Sequence, residues 1–511
     1  MTTSKTQPLL RPHLTSENER RQHEVIRQQP LKILQIGDGN FLRGFVDWMI
    51  HEMNASGKYH GSVVLTPATP RGAHRLEKMA NQEGLYTLLQ QGLQHGKKVE
   101  QRQLISVFCD YVNPYGEWER FLQLAELESL DVIVSNTTES GLTYVELDYV
   151  PGEPIVNFPA RLAVFLHRRF ETFGADPKRG LMILPCELVE NNGDLLKTYV
   201  LRYARAFGFG DDFCEWVEQH QLFLNNLVDR IVTGMPEPGE YARLTNSWGY
   251  EDQFLTSAEP YYIWVIQGDS SFDRRLPLVR SGLHVKWVPD LAPYRQRKVH
   301  ILNGAHTLMM PVGLLYGKST VRQLMEDEQL GNWVKQSIAD EVIPSLGLPP
   351  EELQRYADET FERFYNPYLE HRLLGIAMNS LSKWQARLLP VLKAYTAKQQ
   401  QLPQQLVRSL SALLLLYKVE PVEQGEQLCF RSLTMDGQPL EIRDNTEWLQ
   451  RLYSHWQQSG TSAGQDGQVD YERAVLQILS DTTIWQEDLT QIPGLAEQVT
   501  FNLNHMGAQW S

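Results

Sequence analysis

The chain has 511 residues, of which 42% are hydrophobic and 22% are charged, the balance of a folded enzyme and not of a disordered protein. One core rarely organises so many residues, so we expect at least two domains. The net charge of −14 disfavours a nucleic-acid or anionic-membrane surface. The sequence shows neither a transmembrane run nor the apolar segment of a secretory signal, which predicts a cytoplasmic protein.

The cysteines are scattered and show no metal-ligand spacing. They stand at positions Cys109, Cys186, Cys214 and Cys429. We expect four reduced thiols and no bound metal.

The first half of the chain alternates short apolar runs with amphipathic stretches, which is typical of a parallel sheet with crossover helices. The predicted strands are residues 31–36, 61–66, 131–135, 181–184 and 261–266. From about Trp287 helical periodicity dominates, for example over 320–343, 351–365 and 369–396. We therefore predict an α/β, Rossmann-type, doubly wound N-terminal domain (1–286) that binds NAD and a mainly α-helical C-terminal domain (287–511) that binds substrate.

A glycine pair, Gly37 and Gly39, lies between the first predicted strand and a predicted helix. At such a turn the pyrophosphate of a dinucleotide meets backbone amides and a helix N-terminus. Leu42 replaces the third glycine of the usual motif, so an ordinary glycine turn is an open alternative. The predicted cofactor contacts here are Ile36, Gly37, Gly39, Asn40, Phe41 and Arg43.

A second polar segment follows the strand at 131–135, and its residues are predicted ribose and nicotinamide contacts: Asn136, Thr137, Thr138 and Glu139. An ordinary polar turn or helix cap is the alternative. The loop after the second strand carries no carboxylate for the adenosine ribose, so this position leaves NAD and NADP open. Arg71 in that loop either favours a 2′-phosphate or is a solvated arginine.

Lys298, Asn303 and His306 are spaced five and three residues apart in a predicted helical segment. Asn303 and His306 then share one helix face. Hydride transfer from an alcohol needs a base for the hydroxyl proton and donors for the developing alkoxide. A lysine can be the base while Asn and His hold the oxygen. The alternative is a basic helix start with structural Asn and His residues.

Several separated motifs, in this order, resemble the mannitol dehydrogenase family of zinc-independent polyol and sugar-acid dehydrogenases. They are Gly37 to Gly44 (GDGNFLRG), Leu227 to Ile231 (LVDRI), Lys298 to His306 (KVHILNGAH), Phe364 to Pro367 (FYNP) and Lys383. The resemblance spans most of the chain from about Leu31 to Pro390.

The resemblance implies NAD as cofactor, no metal, Lys298 as general acid/base, Asn303 as the carbonyl-polarising donor and His306 as a substrate-fixing group. It also implies substrate contacts at Glu187, Asp229 and Lys383. Two further predicted contacts lie beside positions where this chain departs from the polyol-specific pattern: Asn191, with Asn192 as the alternative, as a second oxygen donor, and His371, with Arg372, about one turn before Gly375. Leu188 and Gly375 stand where polyol-specific members have Asn and Arg. This departure favours a carboxylated sugar, since Arg or Lys side chains bind carboxylates well.

The activity implied is interconversion of the sugar acids D-tagaturonate and D-altronate. The alternatives are reduction of fructuronate, oxidation of a hexitol, or a non-catalytic nucleotide-binding regulator. Apart from this small hexuronate or aldonate, we expect no nucleic-acid or membrane partner, and a monomer or small homo-oligomer.

Overall fold

The computed structural model describes residues 7–137, 139–424, 427–459 and 470–506. It divides the chain into two compact units. Unit 1 comprises the residues up to Gln91 together with Lys98–Leu291, and unit 2 comprises Gly92–Lys97 together with the residues from Ala292 onward.

Unit 1 combines strands and helices. Its strands are β1 (Leu31–Ile36), β2 (Ser62–Thr66), β3 (Tyr86–Gln94), β4 (Lys97–Ile105), β5 (Phe108–Tyr111), β6 (Val132–Ser135), β7 (Met182–Pro185), β8 (Leu222–Phe223), β9 (Asn226–Asp229), β10 (Val232–Gly234), β11 (Thr256–Ala258), β12 (Ile263–Gln267) and β13 (Val285–Val288). The segment Gly92–Lys97, which spans the end of β3, the turn and the first residue of β4, is grouped with unit 2. The helices of unit 1 are α1 (Glu17–Gln28), α2 (Asn40–Leu42), α3 (Trp48–Ala55), α4 (Ala73–Asn81), α5 (Trp118–Gln123), α6 (Phe158–Phe173), α7 (Asn192–Ala206), α8 (Asp211–His220) and α9 (Pro238–Trp248).

The main sheet of unit 1 has six strands in the order β5-β2-β1-β6-β7-β8. Every neighbouring pair in it is parallel. Counted along the chain within this sheet, the order is 3-2-1-4-5-6, that of a Rossmann fold. The predicted α/β class is confirmed.

The central strands of this sheet carry buried apolar side chains on both faces. In β1, Ile33 packs into one core cluster while Leu34 packs into another. In β6, Val132 and Ile133 alternate in the same way. Successive side chains point to opposite faces, so such runs bury both faces of a parallel sheet at once.

Two further sheets complete unit 1, with strand orders β10-β11-β3-β4 and β13-β12-β9. The predicted domain boundary between residues 286 and 287 falls inside β13, which pairs along its length with β12. Unit 1 accordingly extends to Leu291.

Unit 2 is mainly helical, as predicted. Its helices are α10 (Ala292–Arg297), α11 (Asn303–Leu315), α12 (Val321–Glu326), α13 (Glu328–Ser337), α14 (Pro350–Phe364), α15 (Leu373–Ala377), α16 (Ser380–Arg387), α17 (Leu389–Gln399), α18 (Gln404–Leu416), α19 (Thr446–Ser459), α20 (Tyr471–Leu479), α21 (Thr482–Trp485) and α22 (Leu495–His505). Unit 2 also contains an antiparallel sheet, formed by β14 (Glu420–Gln424), β15 (Gln427–Leu433) and β16 (Pro439–Ile442). Within the described ranges, no helix is both long and apolar enough to cross a membrane.

Candidate active site

The two glycines after β1 have different roles. Gly37 has φ +123°, and a Cβ added there would lie 2.8 Å from the backbone oxygen of Asn136. Gly39 has φ −71°, and an added Cβ would meet no atom within 4 Å. The fold itself therefore requires glycine at position 37, whereas position 39 leaves open space in front of the helix N-terminus.

The loop between these glycines and the helix is fixed by Arg43. Its guanidinium donates to the Asp38 carbonyl oxygen (2.6 Å), to Asn40 Oδ1 (2.5 Å) and to Thr256 Oγ1 (3.1 Å). Two predicted cofactor residues are buried: Arg43, whose side chain holds the loop, and Ile36, whose side chain packs in the core. Phe41 stacks on Phe45 with ring centroids 5.0 Å apart.

The loop after β6 is tied to the loop after β7 by Glu187. The backbone N–H and the hydroxyl of Thr137 both donate to Glu187 Oε1, at 2.8 and 3.0 Å, and Ser135 donates to Oε2 at 3.1 Å. Burial raises the pKa of Glu187 even though these hydrogen bonds oppose the shift. Asn136 completes the connection by donating to the Cys186 carbonyl oxygen (2.8 Å).

Glu187 thus orders the predicted nicotinamide loop. Thr138 and the side chain of Glu139, also predicted cofactor contacts, lie outside the described residues.

The loops after β1 and β6 meet where the strand order of the sheet reverses. β1 lies between β2 and β6, with the later strands beyond β6. In doubly wound sheets a dinucleotide binds in the crevice at this reversal, with its pyrophosphate at the helix N-terminus. The open position at Gly39 and the ordered Asn136–Thr137 turn fit such a cofactor.

The remaining predicted residues of unit 1 differ in exposure. Asp229 ends β9 and is buried, whereas Asn191 is solvent-exposed with φ +51° and precedes α7. The neighbouring Asn192 donates to the carbonyl oxygens of Glu187 (3.1 Å) and Asn226 (3.2 Å) and so has a structural role. Leu188 is 66% exposed.

In unit 2, a π-helical turn over Lys298–Leu302 joins α10 to α11. The N–H of Asn303 bonds to the carbonyl oxygen of Lys298, five residues earlier. Such a turn places residues five apart on the same side of the helix, and π turns occur often at functional sites. His306 follows Asn303 by three residues in regular α-helix. The five-and-three spacing therefore brings all three predicted catalytic residues to one side of a continuous helix.

His306 is 8% exposed, and its Nε2 has no hydrogen-bond partner among the described residues. Its ring centroid lies 4.5 Å from that of Phe364 and 4.6 Å from that of His371. Burial lowers the pKa of His306 well below its usual value, and the positive charges nearby lower it further. The imidazole is therefore neutral near pH 7 and presents an unsatisfied polar atom, which is costly unless a ligand binds it.

Helix α16 contributes a predicted residue and one that the sequence did not single out. Lys383 donates to the Ile376 carbonyl oxygen at 3.0 Å, and burial lowers its pKa. Arg387, one turn later, donates to Thr307 Oγ1 at 3.1 Å. The charges of both residues lower the pKa of His306. His306 thus has the ring of His371 in contact with it and the charges of Lys383 and Arg387 acting on it.

Position 375 is open: a Cβ added to Gly375 would meet nothing within 4 Å. Across the described part of the chain, no group of three or more His, Cys, Asp or Glu side chains could hold a metal ion. All four cysteines are free thiols.

Two family models and full-length relatives match this chain. The mannitol dehydrogenase Rossmann domain matches residues 31–279, and the mannitol dehydrogenase C-terminal domain matches residues 290–507. An altronate oxidoreductase of Bacillus subtilis is 40% identical over 479 residues, covering 94% of this chain and 93% of the relative. The enzyme of the same name from Cronobacter sakazakii is 40% identical over 476 residues, covering 93% and 94%.

The fold of this chain resembles those of solved dehydrogenase structures. A substrate-free D-sorbitol dehydrogenase superposes with a TM-score of 0.73 at 19% identity, covering 94% of each chain. Mannitol 2-dehydrogenase of Pseudomonas fluorescens, in complex with NAD and D-mannitol, gives 0.63 at 17% identity, covering 94% of this chain and 93% of that one. Both domain profiles and the full-length relatives lead to one conclusion: this chain belongs to the mannitol dehydrogenase family.

Proposed function

We propose that this chain is an NAD-dependent oxidoreductase that interconverts D-tagaturonate and D-altronate. The observation that carries the proposal is the shared helix side of Lys298, Asn303 and His306, with the unpaired Nε2 of a neutral His306. The names of the full-length relatives support the substrate pair.

Each of the three residues has a separate task in the proposed reaction. Bound NADH supplies the hydride for the keto carbon. Lys298 gives a proton to the carbonyl oxygen, and in the reverse direction it takes the proton of the hydroxyl group. The amide of Asn303 donates to the same oxygen and stabilises the charge that develops there.

His306 holds the substrate in place. A neutral imidazole has one donor and one acceptor nitrogen, which suits a sugar hydroxyl. Because its pKa lies well below neutrality, His306 is not the proton source at pH 7. That task stays with Lys298.

A scan of NADH oxidation against tagaturonate, fructuronate and fructose tests the proposal. We expect kcat/KM for tagaturonate to exceed that for fructose by several orders of magnitude, since a site built to pair a polar group rejects an analogue that lacks it. A preference for fructuronate would reassign the hexuronate epimer, and equal rates with fructose would make the enzyme a polyol dehydrogenase. No turnover with any of them would favour a non-catalytic protein.

A further inference from the structure

Arg387, at the end of α16, is a partly buried cation that forms no ion pair with any residue the structure describes. Only its Nη1 has acceptors among the residues the structure describes, namely Thr307 Oγ1 at 3.1 Å and the Asn303 carbonyl oxygen at 3.5 Å. Burial lowers its pKa. A guanidinium removed from water without a carboxylate partner is costly, which points to an anion that binds there.

The second cation beside it is Lys383, one helical turn earlier in α16. Its ammonium donates to the Ile376 carbonyl oxygen, and no carboxylate of the described chain lies within ion-pair distance of it. Burial and then the charge of Arg387 lower the pKa of Lys383, while the charge of Asp444 opposes this shift. We call Lys383 and Arg387 the α16 cation pair.

The pair lies next to the proposed reactive residues of the same unit. Arg387 Nη1 reaches both the carbonyl oxygen of Asn303 and the hydroxyl of Thr307, which itself donates to Asn303 O at 2.9 Å. After burial, the largest effects on the pKa of His306 are the positive charges of His371, Arg363, Arg387 and Lys383, and all four lower it. The local field is therefore positive, although the chain as a whole carries −14 charges.

We propose that Arg387 binds the carboxylate of the substrate and that Lys383 adds a second positive charge, so the α16 cation pair selects a sugar acid over a neutral sugar. This inference rests on the proposed function and names the group that recognises the acid. With Nη1 committed to Thr307, the Nε–Nη2 edge of Arg387 is the one that forms two parallel hydrogen bonds to a carboxylate. Thr307 is then a positioning residue, because it fixes the plane of the guanidinium.

The test compares two ketoses that differ only in the recognised group: tagaturonate and tagatose, which has a hydroxymethyl group in place of the carboxylate. Arg387→Gln should lower kcat/KM for tagaturonate about 10²- to 10³-fold, while kcat/KM for tagatose changes by less than about threefold. NADH affinity should stay the same. The control is Arg355→Gln, which removes the same charge from an exposed position of α14. It should leave kcat/KM unchanged for both ketoses.

Arg387→Lys serves if the Gln variant loses its folded circular-dichroism spectrum. This variant keeps the charge but loses the two-pronged geometry, so we expect about a tenfold loss confined to tagaturonate and expressed mainly in KM. An equal loss with both ketoses would overturn the inference, because Arg387 would then act by positioning Asn303 and His306. Unchanged kinetics in both variants would overturn it too. A wild-type enzyme that reduces tagatose but not tagaturonate would refute the proposed function itself, before any variant is measured.

Discussion

The glycine loop after β1 offers a paired substitution that separates folding from cofactor binding. At Gly37, alanine would keep a backbone angle of φ +123° and bring its Cβ to 2.8 Å from the Asn136 oxygen. Strain in this glycine-only region costs about 1–3 kcal/mol, and the contact adds to it, so we expect Gly37→Ala to lose about 2–4 kcal/mol of stability. At Gly39, valine meets no protein atom within 4 Å of its Cβ and keeps an ordinary φ of −71°. Its cost to folding should stay below about 1 kcal/mol.

The two variants should therefore separate in two assays. In thermal unfolding followed by circular dichroism, Gly37→Ala should melt several degrees below wild type, whereas Gly39→Val should melt with it. In a fluorescence titration with NADH, Gly39→Val should bind at least about 100-fold more weakly, because its side chain fills the space proposed for the pyrophosphate. Wild-type NADH affinity in Gly39→Val would refute the placement of the cofactor in this loop. Wild-type melting of Gly37→Ala would refute the steric reasoning.

Two further predictions concern unit 2. Lys298→Ala should lower kcat by about two to four orders of magnitude while NADH affinity is preserved. Lys298→Arg should not restore kcat, because a guanidinium does not release its proton near neutral pH. Stopped-flow turnover measured across pH tests this, and near-normal turnover with an unchanged pH profile would make Lys298 a structural residue. Burial acts to raise the pKa of Asp481, but hydrogen bonds from Arg451 (2.9 Å) and His455 (2.9 Å) outweigh it and lower the pKa to about 2. A lowered carboxyl pKa stabilises the fold above pH ~4 and loses that effect as the pH falls toward 2. Asp481→Asn should thus lower the free energy of unfolding by about 1–2 kcal/mol at pH 7, after allowing for solvent around Arg451. The difference between the urea midpoints of the variant and the wild type should shrink toward pH 3. A difference that does not depend on pH would contradict the ion-pair explanation.

The parallel sheet was predictable because its strands are short apolar runs bounded by glycine or polar turns. Residues 31–36 were predicted as a strand and form β1 with the same limits. The strand β4 (KKVEQRQLI) was missed, since most of its side chains are exposed and polar and only Leu104 and Ile105 are buried. Hydrophobic periodicity detects elements that bury one face in the main core. The strand β4 lies at the edge of the second sheet and buries no such face there.

Helix limits in unit 2 were harder to predict for a different reason. The helical pattern over 369–396 appeared continuous, but the structure breaks it into α15, α16 and α17. Asn379 adopts a left-handed conformation (φ +54°) between α15 and α16, and Pro390 stands in the first turn of α17. The apolar spacing continues across both breaks through the buried Leu381, Trp384 and Leu388, so the pattern of side chains conceals the change in the backbone.

The site shows the same division between local and tertiary information. Lys298, Asn303 and His306 lie close together in sequence, so their spacing makes them candidates, and the family resemblance is what favours catalysis over a structural role. The π turn that aligns them, with its bond between Asn303 and Lys298, has no sequence signature that would have predicted it.

Arg387 could not be selected from the sequence at all, since an arginine near the end of a helix usually lies in solvent. Its importance depends on a contact with Thr307, 80 residues earlier in the chain, and on the absence of an acidic partner among the described residues. A tertiary contact of this kind becomes visible only when the fold places α16 against α11. Residues that perform chemistry common to a family can be found by their local pattern, whereas a residue that selects one substrate depends on which side chains the fold brings beside that pattern. For this reason we expect substitutions in the α16 cation pair to change which sugar is reduced, and substitutions at Lys298 to change how fast any sugar is reduced.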